Sequence, residues 1–203
     1  MRTIFTYDHF IKYSKIHDLV VKPKVIRVIE FDDEDVEEFE KDMDEAHSTG
    51  QPVIPIVIDS FGGSVYGLNA MASSILNAKV PVATIVTGKA MSAGAALFGF
   101  GTEGYRYIDK HATLMIHDAA WVAHGKVEEI KADAAQLDFQ NKTLYRRLAV
   151  HLGHKEDYFM KLIKEHSHAD WFLTAQEAKK HRLANHIKVP EMNIHLSLDV
   201  SFG

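Results

Sequence analysis

Cysteine is absent from the 203 residues, which excludes disulfides, thiolate metal sites and a cysteine nucleophile. Long apolar runs are missing too. No uncharged stretch reaches the roughly 18 residues a membrane helix needs, so no membrane partner is expected. Nor are basic residues in excess. A formal net charge of -5 removes the electrostatic ground for binding nucleic acid or an anionic membrane, although 13 histidines make that charge sensitive to mild acid. The first residues, Met1 to His9, carry an early acid and no apolar core, unlike a secretory signal, which leaves the cytoplasm as the expected compartment. What is present, 46% hydrophobic and 25% charged residues, is the balance of one globular domain with a single core.

Residues 1–24 scatter aromatics among basic and polar residues without a period, and are expected to form a loosely held arm. The β-branched run Lys24 to Phe31 reads as a strand. Asp32 and Asp33 then offer a helix N-cap, followed by Val36, Phe39, Met43 and Ala46 at helical spacing and by Gly50 as a stop. The acidic run Asp32 to Glu45 is the solvated face of that helix. Val53 to Ile58 and Pro81 to Val86 are apolar runs of the kind a strand covered on both faces shows, and each leads through small residues into a helical pattern. Short strands are expected at Tyr105 to Ile108, Thr113 to Ile116 and Ala184 to Val189, and a helix over Lys155 to Glu165. Thr174 and Glu177 form a capping box that opens a short helix ending near His181. The recurring strand-turn-helix unit predicts an α/β fold, and residues 190–203 form a patternless tail.

Gly88-Lys89-Ala90-Met91-Ser92-Ala93-Gly94-Ala95-Ala96 gathers small residues around one hydroxyl directly after a buried strand. Small residues there let backbones approach and leave the serine exposed at a helix start, though Ala90 replaces the first glycine of G-x-S-x-G and close helix packing reads the same way. A hydroxyl is a poor nucleophile near neutral pH and needs a base, an acid to orient the base, and donors for the oxyanion. His117 at the end of a strand, Asp170 before the capping box and the Gly62-Gly63 turn can supply those parts. Taken singly, His117 is one of 13 histidines, Asp170 can serve as a cap, and paired glycines also make plain tight turns.

Four segments in order, Ile58-Asp59-Ser60-Phe61-Gly62-Gly63-Ser64, Ala90-Met91-Ser92-Ala93-Gly94-Ala95, Leu114-Met115-Ile116-His117 and Asp170-Trp171-Phe172-Leu173-Thr174-Ala175-Gln176-Glu177-Ala178, resemble the motifs of ClpP, the proteolytic subunit family of the Clp proteases. The resemblance spans about Val25 to Val189, which delimits a peptidase domain over 25–189. It implies a ClpP/crotonase-like fold with a long projecting helix, and serine endopeptidase activity on peptides or unfolded proteins. Ser92 is then the nucleophile, His117 the base and Asp170 its orienting acid, with the N–H groups of Gly63 and Ala93 as the oxyanion hole. It also implies stacked heptameric rings enclosing the sites, no metal or organic cofactor, and a separate ATP-dependent unfoldase as partner. Phe61 stands where the family's glycine turn usually has proline, and residues 1–24 do not resemble the segment that lines the axial pore in that family and helps dock the ATPase.

The long helix is expected over Lys126 to Val150, with Val127, Ile130, Ala134, Leu137, Leu144 and Leu148 in one narrow stripe; such a stripe usually means a core-facing helix, but on a long projecting helix it equally suits a seam between rings, with Asn141 setting its register. Three other readings compete. A crotonase-fold acyl-CoA enzyme shares the glycine turn but has no need of Ser92 with His117. A serine–lysine peptidase could use Lys89 as base. A catalytically silent scaffold or assembly protein of the same fold has no need of an intact triad.

Overall fold

Two central strands carry the architecture of the computed structural model, β2 (Ile54–Ser60) and β3 (Val82–Met91), paired in parallel. The structure describes residues 23–191 other than Trp121 and Ala123; the expected arm, save Pro23 and Lys24, and the tail beyond Glu191 lie outside the described residues. Ile54, Ile56, Ile58, Val82 and Val86 are buried, as unbroken apolar runs require when both faces of a parallel sheet are covered. β1 (Ile26–Val28) pairs with the free side of β2, and β4 (Arg106–Ile108) followed by β7 (His186–Ile187) extend the other side, all in parallel. Past Val86 the neighbour of β3 changes. Lys89, Ala90 and Met91 pair with β5 (Thr113–Ile116), which in turn takes β6 (Trp171–Leu173) in antiparallel register.

The register of β2 on β3 shifts between Ile58, opposite Val86, and Ser60, opposite Ala90. Such a bulge bends a strand and re-aims the chain beyond it. Beyond Met91 the chain enters helix α3 (Ala93–Gly99) through Ser92. The strand expected to stop at Val86 thus runs on to Met91, because its last residues find a second partner in β5.

Helix α1 (Asp33–Ser48) is capped by Asp32, whose carboxylate accepts from the Asp35 N–H at 3.0 Å, and it buries Phe39, Met43 and Ala46. Helix α2 (Val65–Leu76) begins at Ser64 and buries Leu68, Met71, Ala72 and Ile75. Arg106 is wholly buried; burial pushes its guanidinium below the usual range while Glu103 opposes the shift, and carbonyls of Gly101 and Leu183 accept from it. That anchor ties β4 to the chain leading into β7.

Helix α4 (Val127–His151) is not one uniform stripe. Val127 is 66% exposed and Ile130 39%, whereas Asn141, Leu144, Tyr145 and Leu148 are buried in the chain's own core. The first half projects and the second half packs, so Leu144 and Leu148, expected in a seam between rings, belong to the chain's own core. Helix α5 (Tyr158–Glu165) starts later than expected, and helix α6 (Ala175–Lys180) opens on the Thr174–Glu177 capping box.

Candidate active site

Sheet register brings the site together. In the β5–β6 pair Ile116 lies opposite Trp171, so His117, just after β5, and Asp170, just before β6, emerge side by side from the same end. Ser92 leaves the neighbouring strand β3 at the same level, and its N–H donates to Met115 O at 2.8 Å.

The backbone of Ser92 has φ 52 and ψ -118, a left-handed conformation that a residue with a side chain adopts only when the surroundings compel it. Ser92 caps nothing with its own hydroxyl. Instead the Ser92 hydroxyl and His117 Nε2 are 2.8 Å apart. His117 Nδ1 lies 3.4 Å from Asp170 Oδ1, looser than a hydrogen bond, and Asp170 is 55% exposed.

The glycine turn is pressed against this elbow. A Cβ on Gly62, whose φ is +105, would sit 2.7 Å from Ser92 Cβ, and one on Gly63 would sit 2.9 Å from Phe31 Cβ. The positive φ therefore belongs to Gly62, while Gly63 is glycine because Phe31, in the link between β1 and the next helix, passes behind it. The Gly62 N–H is taken by Ser60 Oγ at 2.9 Å. The Gly63 N–H has no backbone acceptor among the described residues, and that of Ala93 is at the first position of α3, where a helix offers no carbonyl. Gly63, Ser92, Ala93 and His117 line one cavity of about 110 Å³, with Val65, Leu68 and Leu144 as its apolar wall.

Lys89 is not available to Ser92. Its ammonium pairs with Asp59 at 2.8 Å and lies 4.4 Å above the Phe61 ring. Lys89 thus does not form a serine–lysine arrangement with Ser92. Among the described residues no group of three or more His, Asp and Glu side chains could hold a metal ion, and no helix is long and apolar enough to cross a membrane.

A family model described as Clp protease matches residues 15–191. The chain belongs to the Clp protease family. Among similar proteins, the ATP-dependent Clp protease proteolytic subunit of Bacteroides thetaiotaomicron is 35% identical over 136 residues, covering 67% of this chain and 60% of the relative. The ATP-dependent Clp protease proteolytic subunit 2 of Frankia casuarinae is 32% identical over 134 residues, covering 66% of this chain and 60% of the relative. The Bacteroides fragilis subunit is 32% identical over 136 residues, with 67% and 64% covered. The chain thus spans about 60% of the length of the curated relatives it matches. The parallel sheet with flanking helices agrees with the α/β fold expected for this family.

Two features of the site had no clear sign in the sequence. Strand β6 is three residues long, and only its partner β5 makes it a strand. Asp118, beside His117, joins Asn141 and His168 in a network separate from Ser92 and Asp170, for which the interruption of the helical stripe at Asn141 was the one visible signal.

Proposed function

We propose that this chain is a serine endopeptidase that hydrolyses peptide bonds of peptides or unfolded proteins through Ser92, His117 and Asp170. The observation that carries the reading is the 2.8 Å contact between the Ser92 hydroxyl and His117 Nε2, on a backbone held at φ 52. His117 takes the Ser92 proton as the hydroxyl attacks the scissile carbonyl, then passes it to the leaving amine; water completes the cycle on the acyl-enzyme. Asp170 holds the imidazolium that forms. The N–H groups of Gly63 and Ala93 are the donors for the tetrahedral oxyanion, since both line the Ser92 cavity. No metal or organic cofactor takes part.

The working unit in this proposal is a closed homo-oligomer of stacked heptameric rings, supported by the projecting half of α4 with Val127 and Ile130 exposed. The relatives are named ATP-dependent, so an unfoldase that hydrolyses ATP is the proposed partner, and residues 1–24 the proposed arm outside the 25–189 domain. The cytoplasm is its proposed compartment. Hydrolysis of a fluorogenic peptide tests the reading. Wild type is expected to turn the peptide over and His117→Ala to lose on the order of 10⁴ or more in kcat. Equal turnover by the two proteins would reject it.

A further inference from the structure

Beyond the ends of β5 and β6, the loops carrying His117 and Asp170 have no ladder to hold them together. Among the described residues they are cross-linked at two points only, the loose 3.4 Å contact between His117 and Asp170 and a hydrogen bond between Asp118 and His168 Nδ1. The triad itself makes no use of Asp118. Its carboxylate nevertheless serves two donors from different elements: Oδ2 takes His168, and Oδ1 accepts from Asn141 Nδ2 at 2.8 Å.

Each partner is built for this contact. Asn141 lies within α4, where asparagine is a poor helix former, and it is 6% exposed. Both ends of its amide face the loop after His117, since Asn141 Oδ1 accepts from the Ala119 N–H at 3.1 Å. One turn on, Tyr145 OH donates to His117 O at 2.5 Å. Burial, and after it the Asp118 carboxylate, push the Tyr145 phenol well above its ordinary range, which keeps it a donor. Ser167 and His168 both adopt left-handed backbone, with φ 57 and 58, in the turn that precedes Asp170. That turn delivers the imidazole to Asp118 and the next residue but one to the triad.

We propose that Asp118 is a positioning residue for the catalytic base, clamping the loop after His117 to helix α4 through Asn141 and to the Asp170 loop through His168. The inference rests on the peptidase reading above. A carboxylate has two oxygens on opposite sides, so one group sets the spacing of two loops whose ends must meet within hydrogen-bond reach. A misplacement of about 1 Å at reacting groups costs on the order of 10²-fold in rate.

The test is steady-state hydrolysis of a fluorogenic peptide by the full chain carrying Asp118→Ala, Asp118→Asn or His168→Gly, with thermal melting of each. Asp118→Ala is expected to lower kcat by roughly 10- to 100-fold with KM changed by less than about threefold. Asp118→Asn is expected to recover most of the loss, because an amide still accepts from Asn141 and can donate to a neutral His168. His168→Gly removes a side chain that is 55% exposed and suits the left-handed backbone, so it carries the test if Asp118→Ala fails to fold. Wild-type kcat in both deletions, a loss confined to KM, or an asparagine variant no better than alanine would overturn the proposal. A wild-type protein that hydrolyses no peptide counts instead against the peptidase reading.

Discussion

At the scale of single residues, the elbow at Ser92 is held by its neighbours rather than by its own preferences. Gly62 approaches so closely that any side chain there must displace the Ser92 Cβ, and its φ of +105 is itself strained for other residues. Gly62→Ala is therefore expected to cost about 1–3 kcal/mol in chemical denaturation and to lower kcat as well. Gly63→Ala is a different experiment, because its methyl group meets Phe31 at 2.9 Å and not the elbow. The paired glycines were legible in the sequence as a turn, but which of them carries the positive φ depends on how Phe31 and the elbow crowd them from opposite sides. Ser92→Ala adds no bulk and keeps the fold. It is expected to lower turnover by on the order of 10⁶ with unchanged melting, since nucleophile and base act as a unit.

At the scale of elements, α4 changes role along its length. Leu148 is fully buried, so Leu148→Ala is expected to destabilise the chain by roughly 2–5 kcal/mol in a denaturant titration. Val127→Glu with Ile130→Glu alters only exposed positions, and is expected to leave that stability unchanged while reducing the mass of any assembly seen by light scattering. The helical period marked the whole helix correctly, yet periodicity alone does not distinguish a face covered by the same chain from one left open. Asn141 shows the same limit. It was visible as a polar break in the stripe, and its partners Asp118 and Ala119 lie too far off in sequence for spacing to connect them. Strand β2 and the first half of β3 were legible because burial on both faces leaves unbroken apolar runs, and β5 as a short apolar run in which buried and half-buried residues alternate; β6 was not, because three residues carry no period. The order of Ser92, His117 and Asp170 was legible, whereas the antiparallel register that sets His117 beside Asp170 is a property of the assembled sheet.

Across the whole molecule, aromatic rings pack around the start of β6: His166 is stacked on Trp171, Trp171 is edge-on to His181, and His154 is stacked on Tyr158. His181 is 8% exposed, and burial, followed by the nearby Lys180 charge, pulls its imidazole below the ordinary 6.5. The folded chain thus resists a proton that the unfolded chain accepts. Stability is complete above that ordinary value and is lost as pH falls through it toward the depressed one. Denaturation followed by tryptophan fluorescence is expected to show lower stability at about pH 5.5 than at about pH 7.5, with a smaller difference in His181→Gln. Peptidase chemistry asks more of the intact protein than stability: one serine among all its hydroxyls must be nucleophilic. Reaction of the folded wild-type chain with a fluorophosphonate, combined with peptide mapping, reads this directly. A single adduct on Ser92, formed far more slowly in His117→Ala, is the predicted result; no adduct, an adduct on another serine, or labelling at the same rate without His117 would contradict it.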